Sequence, residues 1–420
     1  MRVTQPAIRS ALIFAAATVA AVIAAAVMTL ADHAHAQTDD AMRSPVEASR
    51  QPRPRIEVVF VLDSTGSMSG LIAAAKEKIW AIANSFAQAR PAPEIKMGLV
   101  GYRDRGDEFV TKVTPLTDDL DEVYANLMAL QAGGGGDTPE SVNQALSEAV
   151  GSMKWSNDET TYKVIYLVGD APPHLDYKDD THYKRTCEAA VRSDLIINTI
   201  QCGQMSTTTP IWQEIADLSE GRYVQIDQSG GHVVSSTPFD KQISELSEKL
   251  DGTRLYYGTS EQLAAQTERN EMSGIKSIKK QAAESKLDSK AWTRLSARRA
   301  LFNSDVSGGS NFLNGAANEL VHAFNEDGLK LSEIDAKQLP EDLRKLPKEQ
   351  LEKELKVRYE KRKELRKRIR ELGEKRQKFI ESELAKRKDA TPVIDVELYR
   401  NTLEQAGKKG IQFKSETPAF

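Results

Sequence analysis

Asp63, Thr65 and Ser67 stand two apart in FVLDSTGSMSG (60–70), directly behind an apolar run. Asp170 follows a second apolar run in YLVGDAPPH (166–174), and a glycine stretch, AGGGGDTPES (132–141), supplies Asp137 and Thr138. If the two runs are parallel strands of one sheet, the carboxylates of Asp63 and Asp170 leave it at the same edge. Two carboxylates on one rim repel unless they are protonated or bridged by a cation. The donors are all oxygens, with no His or Cys at metal-ligating spacing. That chemistry suits Mg²⁺ or Mn²⁺, with Ca²⁺ less suited, rather than zinc or copper. Few of these ligands are charged and the loops are short, which favours Mg²⁺ keeping several waters and an open coordination position.

The elements that must position these residues are legible as alternating patterns. Near-continuous apolar runs at 56–62, 96–102, 162–168, 195–202 and 222–226 predict buried strands. A shorter alternating run at 108–113 predicts an edge strand, antiparallel to its neighbour. Helical periodicity lies between them at 71–89, 119–130, 139–153, 181–193 and 210–219, and a helix over 239–250 closes the unit. The expected fold is α/β: a doubly wound, mostly parallel sheet flanked by helices, followed by a mainly helical, charged C-terminal extension. Ligands of such sheets bind outside the carboxyl ends of the strands, where the strand order reverses.

DSTGS at 63–67, GGGDTPE at 134–140 and the strand-terminal VGDA at 168–171 together resemble the von Willebrand factor A domain with its metal-ion-dependent adhesion site. The resemblance spans about residues 55–252. It implies a bacterial exported type, a site motif carried by Asp63, Thr65 and Ser67, a threonine from the glycine loop, and Asp170 from the end of the fourth strand. It further implies a Mg²⁺ or Mn²⁺ whose last position is filled by an Asp or Glu of a partner protein. Thr138 is the expected threonine, with Asp137 as its substitute. Counting back six residues from Val142 lands on Gly136 instead, and Thr138 before Pro139 also fits a helix N-cap with proline at N1.

Other readings of the same residues remain weaker. Ser67 and Ser69 also suit helix capping. A haloacid-dehalogenase-like phosphotransferase places an aspartate after its first strand and binds Mg²⁺, but it needs a second aspartate where this chain has Thr65. No phosphate-binding loop with its lysine occurs, and no nucleophile, base and orienting group share a loop set. The expectation is therefore binding, not catalysis. His174 reads as a hydrogen-bonded structural histidine. Arg105-Gly106-Asp107 reads as a charged turn that shapes a partner surface.

The formal net charge of −4 over 420 residues excludes a dedicated polyanion binder, so no nucleic acid is expected as a partner. The charge is uneven: residues 341–389 hold nineteen basic and twelve acidic side chains, and the rest of the chain is correspondingly acidic. This segment predicts a long charged helix or helical arm. Its seam of Leu365, Ile369, Leu372 and Phe379 is broken by Arg376 and Glu383, too thin for a firm coiled coil. Its basic runs allow weak contact with a membrane surface, and an envelope scaffold acting through this helix is the alternative function.

At the N-terminus, Arg2 and Arg9 precede an apolar run over 11–31, and Ala34-His35-Ala36 offers a signal-peptidase site. Periplasmic or secreted location follows, or membrane anchoring if the segment is not cleaved. The expected organisation is a leader (1–36), a linker (37–54), the α/β domain (55–252), a helical and irregular region (253–339), the charged helix (340–390) and a tail (391–420). Cys187 and Cys202 either pair in an oxidising compartment or remain two buried thiols.

Overall fold

The computed structural model describes residues 53–87, 89–226, 236–273, 289–305, 318–386, 394–413 and 418. The leader and linker expected over 1–54 lie outside these residues, except for 53 and 54. Among the described residues no helix is long and apolar enough to cross a membrane.

Six strands form one sheet in the order β4-β3-β1-β5-β6-β7. They are β1 (Arg55–Asp63), β3 (Glu94–Tyr102), β4 (Thr111–Thr117), β5 (Tyr162–Gly169), β6 (Ile196–Cys202) and β7 (Tyr223–Ile226). All pair in parallel except β4, which runs antiparallel to β3 at one edge. The doubly wound, mostly parallel sheet read from the apolar runs is the fold observed. The chain builds outward from β1 to β3 and β4, then crosses back to β5, β6 and β7. The order therefore reverses at β1, and the crevice beyond the carboxyl ends of β1, β3 and β5 is the switch point where such sheets bind ligands.

Strand residues alternate faces, so β1 feeds two cores. Ile56, Val58, Phe60 and Leu62 face one core, and Val59 and Val61 the other. On the first face lie α1 (Ile72–Ala87) and α2 (Leu120–Ala129), joined by α8 (Ser289–Asp305) and α11 (Ile394–Gly407). On the second lie α3 (Val142–Gly151), α4 (Tyr183–Arg192) and α5 (Thr209–Leu218). Cys187 is buried in the second core and Cys202 in the first, and both are free thiols. The sheet itself separates them, which is why the helix and the strand that carry them do not form a bridge.

Close packing between strands leaves no space at Gly221, just before β7. A Cβ there would lie 1.8 Å from the Ile197 carbonyl oxygen of β6. Gly221→Ala must therefore displace β7 or the end of α5. Overpacking of this kind costs about 1–3 kcal/mol. A thermal melt of the variant is expected to show a clear drop in Tm, and an unchanged Tm would contradict the close approach.

The C-terminal region is fastened to the α/β unit. After α6 (Asp240–Asp251) and α7 (Ser260–Ser273), α9 (Leu320–Asn325) leads to α10 (Lys348–Ala385), 38 residues and roughly 57 Å long. Leu365, Ile369 and Leu372 of α10 pack on Ile243 and Leu250 of α6 and on Ala297 and Ala300 of α8. Arg376, which breaks the apolar seam in the sequence, is buried and donates to Asp240 Oδ1 at 2.7 Å. Arg362 donates through both terminal nitrogens to Glu319, at 2.9 and 3.0 Å, with both side chains almost fully buried. α11 meets the sheet through polar contacts: Tyr162 donates to Gln405 at 2.8 Å and Asn198 to the same oxygen at 3.0 Å. The final β8 (Gln412–Phe413) pairs antiparallel with β2 (Ala89–Arg90).

Candidate metal site

β1 delivers Asp63, fully buried, to the switch point, and the chain then tightens into a single 3-10 turn at Gly66–Gly70 before α1. Asp63 Oδ1 accepts from the Thr65 amide at 2.8 Å and from its hydroxyl at 2.7 Å. This is the turn that aspartate favours with the residue two positions on. Ser67 Oγ donates to Asp170 Oδ1 at 2.9 Å, so the two strand ends are linked through their loops. Gly169 permits this approach: a Cβ there would lie 2.5 Å from Tyr102 Oη and 2.7 Å from Asp63 Cβ.

The two hydroxyl oxygens, Thr65 Oγ1 and Ser67 Oγ, lie 3.0 Å apart. Each hydroxyl has one proton. The two hydroxyls are within hydrogen-bond distance, and either can donate to the other. Asp63 Oδ2 is buried without a hydrogen-bond partner, and so is Glu140 Oε2. Burial, followed by the charge of Asp170, pushes the Asp63 carboxyl up to about 7. Burial, followed by Asp63, Asp104 and Asp107, pushes Glu140 up to about 9. Asp170 is raised as well, by burial. Orphaned carboxylate oxygens and mutually repelling acids are what a small divalent cation relieves, and the all-oxygen donor set fits a hard one.

The glycine loop is tied to this rim. Gly133 donates its amide to Ser64 O at 3.0 Å, and Gly66 donates to Gly134 O at 3.1 Å. Arg103, after β3, donates to Ser64 O and Gln131 O from beneath. Asp107 accepts the Gly135 amide at 3.0 Å, so the carboxylate of the Arg-Gly-Asp turn is spent on holding the loop. α3 begins at Val142 with Ser141 as its N-cap residue, not at Pro139 as the sequence predicts. Glu140 consequently precedes the helix. It donates its amide to Pro172 O and accepts from the His174 amide, and its side chain turns inward toward Asp63 and Thr65.

Asp63, Thr65, Ser67 and Asp170 are thus brought together, while Thr138 and Asp137 are exposed. Asp137 lies toward His174. Sequence reading missed Glu140, because a glutamate after proline passes for an ordinary first-turn helix residue. The retained signal was its place in the glycine loop, two residues after Thr138 and directly before Ser141.

Residues 57–238 match the family model described as von Willebrand factor A domain. The matched segment, which occupies less than half of the chain, has the strand order and the site loops of a von Willebrand factor A domain. Among curated proteins, the chain is 25% identical over 146 residues to an ariadne-like RING finger protein of Acanthamoeba polyphaga mimivirus. That match covers 35% of this chain and 14% of the viral protein's length. Among solved structures, the chain is similar to the SpRpn10 VWA domain, with 18% identity, a TM-score of 0.33, and coverage of 42% of this chain and 89% of that one. Proximal thread matrix protein 1 from the mussel byssus, solved with a zinc-occupied MIDAS motif, matches at 14% identity and TM-score 0.33, covering 42% of each chain.

Proposed function

We propose that this domain is an exported, metal-dependent protein-capture module. Mg²⁺, or Mn²⁺, is held at Asp63, Thr65, Ser67 and Asp170, and Glu140 takes the place expected of Thr138. The carrying observation is the line of contacts from Asp63 through Thr65 and Ser67 to Asp170, with two hydroxyl oxygens facing each other and a buried carboxylate oxygen beside them. When bound, the cation supplies Lewis acidity toward an Asp or Glu of a partner protein. The chain's own residues fix the rim: Gly133 and Arg103 lock the loops, and the hydroxyls keep their carboxylates oriented. The reading is capture and not turnover, because Thr65 stands where a phosphotransferase needs its acid-base aspartate. The charged, apolar and Ala-His-Ala pattern of the N-terminus supports a location outside the cytoplasm.

Glu140 and Thr138 are separable by calorimetric Mg²⁺ titration. Glu140→Ala is expected to weaken Mg²⁺ by at least about 10-fold, the scale seen when a supporting carboxylate is lost. Thr138→Ala is expected to leave it unchanged. The reverse pattern would return the glycine-loop ligand to Thr138. In a pull-down from envelope extract, partner capture is expected to be lost in EDTA and in Asp63→Ala, and capture surviving both would sink the proposal.

A further inference from the structure

A second group of potential ligands lies on the same rim. Asp104, Asp137 and His174 each place one ligand atom within 4.8 Å of the others. His174 Nε2 is 3.3 Å from Asp104 Oδ2 and 3.8 Å from Asp137 Oδ1. His174 is 5% exposed, yet Nε2 has no hydrogen-bond partner.

The other ring nitrogen explains the orientation. His174 Nδ1 lies 2.8 Å from the exposed carboxylate oxygen Asp176 Oδ1. An ionised carboxylate only accepts, so Nδ1 carries the proton. In the neutral ring, Nε2 then presents a lone pair to two carboxylates. Such an arrangement is repulsive by itself, and it is the one in which a carboxylate sets the tautomer of a metal-binding histidine.

The neighbours leave that corner in need of positive charge. Asp104 Oδ1 accepts from Ser141 Oγ at 2.8 Å, and Tyr177 Oη donates to Asp104 Oδ2 at 3.0 Å. Both are neutral donors. The Tyr177 ring stacks on His174 at 4.0 Å and carries Arg105 on its outer face, but Arg105 already pairs with Asp179 and Asp180. The exposed Asp137 provides the entry path.

We propose that Asp104, Asp137 and His174 form a second cation site, separate from the all-oxygen one, that takes a borderline transition ion, Zn²⁺ in the first instance. One imidazole and two carboxylates make three protein ligands with a position left open, a donor set that suits Zn²⁺ better than Mg²⁺ or Ca²⁺. Asp137 is three residues from Glu140, and His174 donates its amide to Glu140 O. An ion here clamps the glycine loop to the ends of β3 and β5 and so steadies the segment that carries Glu140.

The test is Zn²⁺ calorimetry, with Co²⁺ absorption as the spectroscopic readout, on the chelator-stripped full chain in excess Mg²⁺. The wild type and Asp63→Ala are expected to bind Zn²⁺ alike. His174→Ala and the surface variant Asp137→Ala are expected to weaken it by more than the roughly 10–100-fold that loss of an outer partner costs, and Asp176→Asn by about that amount. Asp137 is exposed, so its variant reports on the ion even if His174→Ala misfolds. Binding that survives Asp137→Ala and fails in Asp63→Ala would place Zn²⁺ in the first site and overturn the proposal. Absence of Zn²⁺ binding would overturn it too.

Discussion

Without metal at pH 8, Asp63→Asn is expected to unfold at a higher temperature than the wild type. The Asp63 carboxyl is raised from its ordinary 3.8 to about 7 by burial and by Asp170. Each unit of such a shift is worth about 1.4 kcal/mol, so keeping this group ionised costs the metal-free fold several kcal/mol. Asparagine retains an oxygen for the Thr65 amide and hydroxyl while discarding the charge. The sign follows from linkage: between the ordinary and the raised value the folded state binds more protons than the unfolded one, so metal-free stability falls as pH rises through that window. Glu140, raised to about 9, extends the fall to higher pH. The advantage of the variant should therefore vanish as pH drops toward 4. Mg²⁺ should narrow the gap, since an ion at 100 times its Kd adds about 2.7 kcal/mol to the chain that binds it and nothing to the one that does not. A wild type more stable than Asp63→Asn in the absence of metal at pH 8 would contradict the account.

The second large effect lies far from the rim. Glu319 accepts from both terminal nitrogens of Arg362, and also from the Leu255 amide at 3.0 Å and the His322 amide at 2.7 Å. Glu319→Ala leaves a guanidinium buried and two amides unsatisfied. Removing one partner of a buried pair costs about 3–5 kcal/mol, whereas replacing both by apolar residues is often near neutral. Glu319→Ala is expected to lose that amount in urea unfolding, and Glu319→Leu with Arg362→Met to recover much of it. A loss below about 1 kcal/mol, the scale of exposed pairs, would mean that α10 is not fastened there.

These two effects mark what the sequence discloses and what it hides. The strands were legible because β1 and β5 are apolar on both faces, and parallel strands covered by helices must be so. Asp63, Thr65, Ser67 and Asp170 were legible because they follow such runs directly. The edge strand was legible in kind, but its pairing begins at Thr111, because the preceding turn is spent on binding the glycine loop through Asp107. Glu140 was hidden by a shift of three residues in the start of α3, which changes a helix-surface glutamate into a buried acid. The buried partners of the charged C-terminal helix were hidden for a related reason. Arg362 and Arg376 pair with Glu319 and Asp240, 43 and 136 residues away, and no local pattern announces a partner so distant. The cysteines illustrate the same limit, since only the placement of the sheet reveals that they lie on opposite sides of it.

The most direct measurement is Mg²⁺ calorimetry at pH 7 in two buffers of different ionisation enthalpy. A cation that enters among acids raised to about 7 and about 9 must expel protons, because metal ligands bind deprotonated. A metal site at these acids predicts saturable Mg²⁺ binding with net proton release, diminishing as pH approaches 9 and absent, together with the binding, in Asp63→Ala. Mg²⁺ uptake that releases no protons, or that persists unchanged in Asp63→Ala, would contradict it.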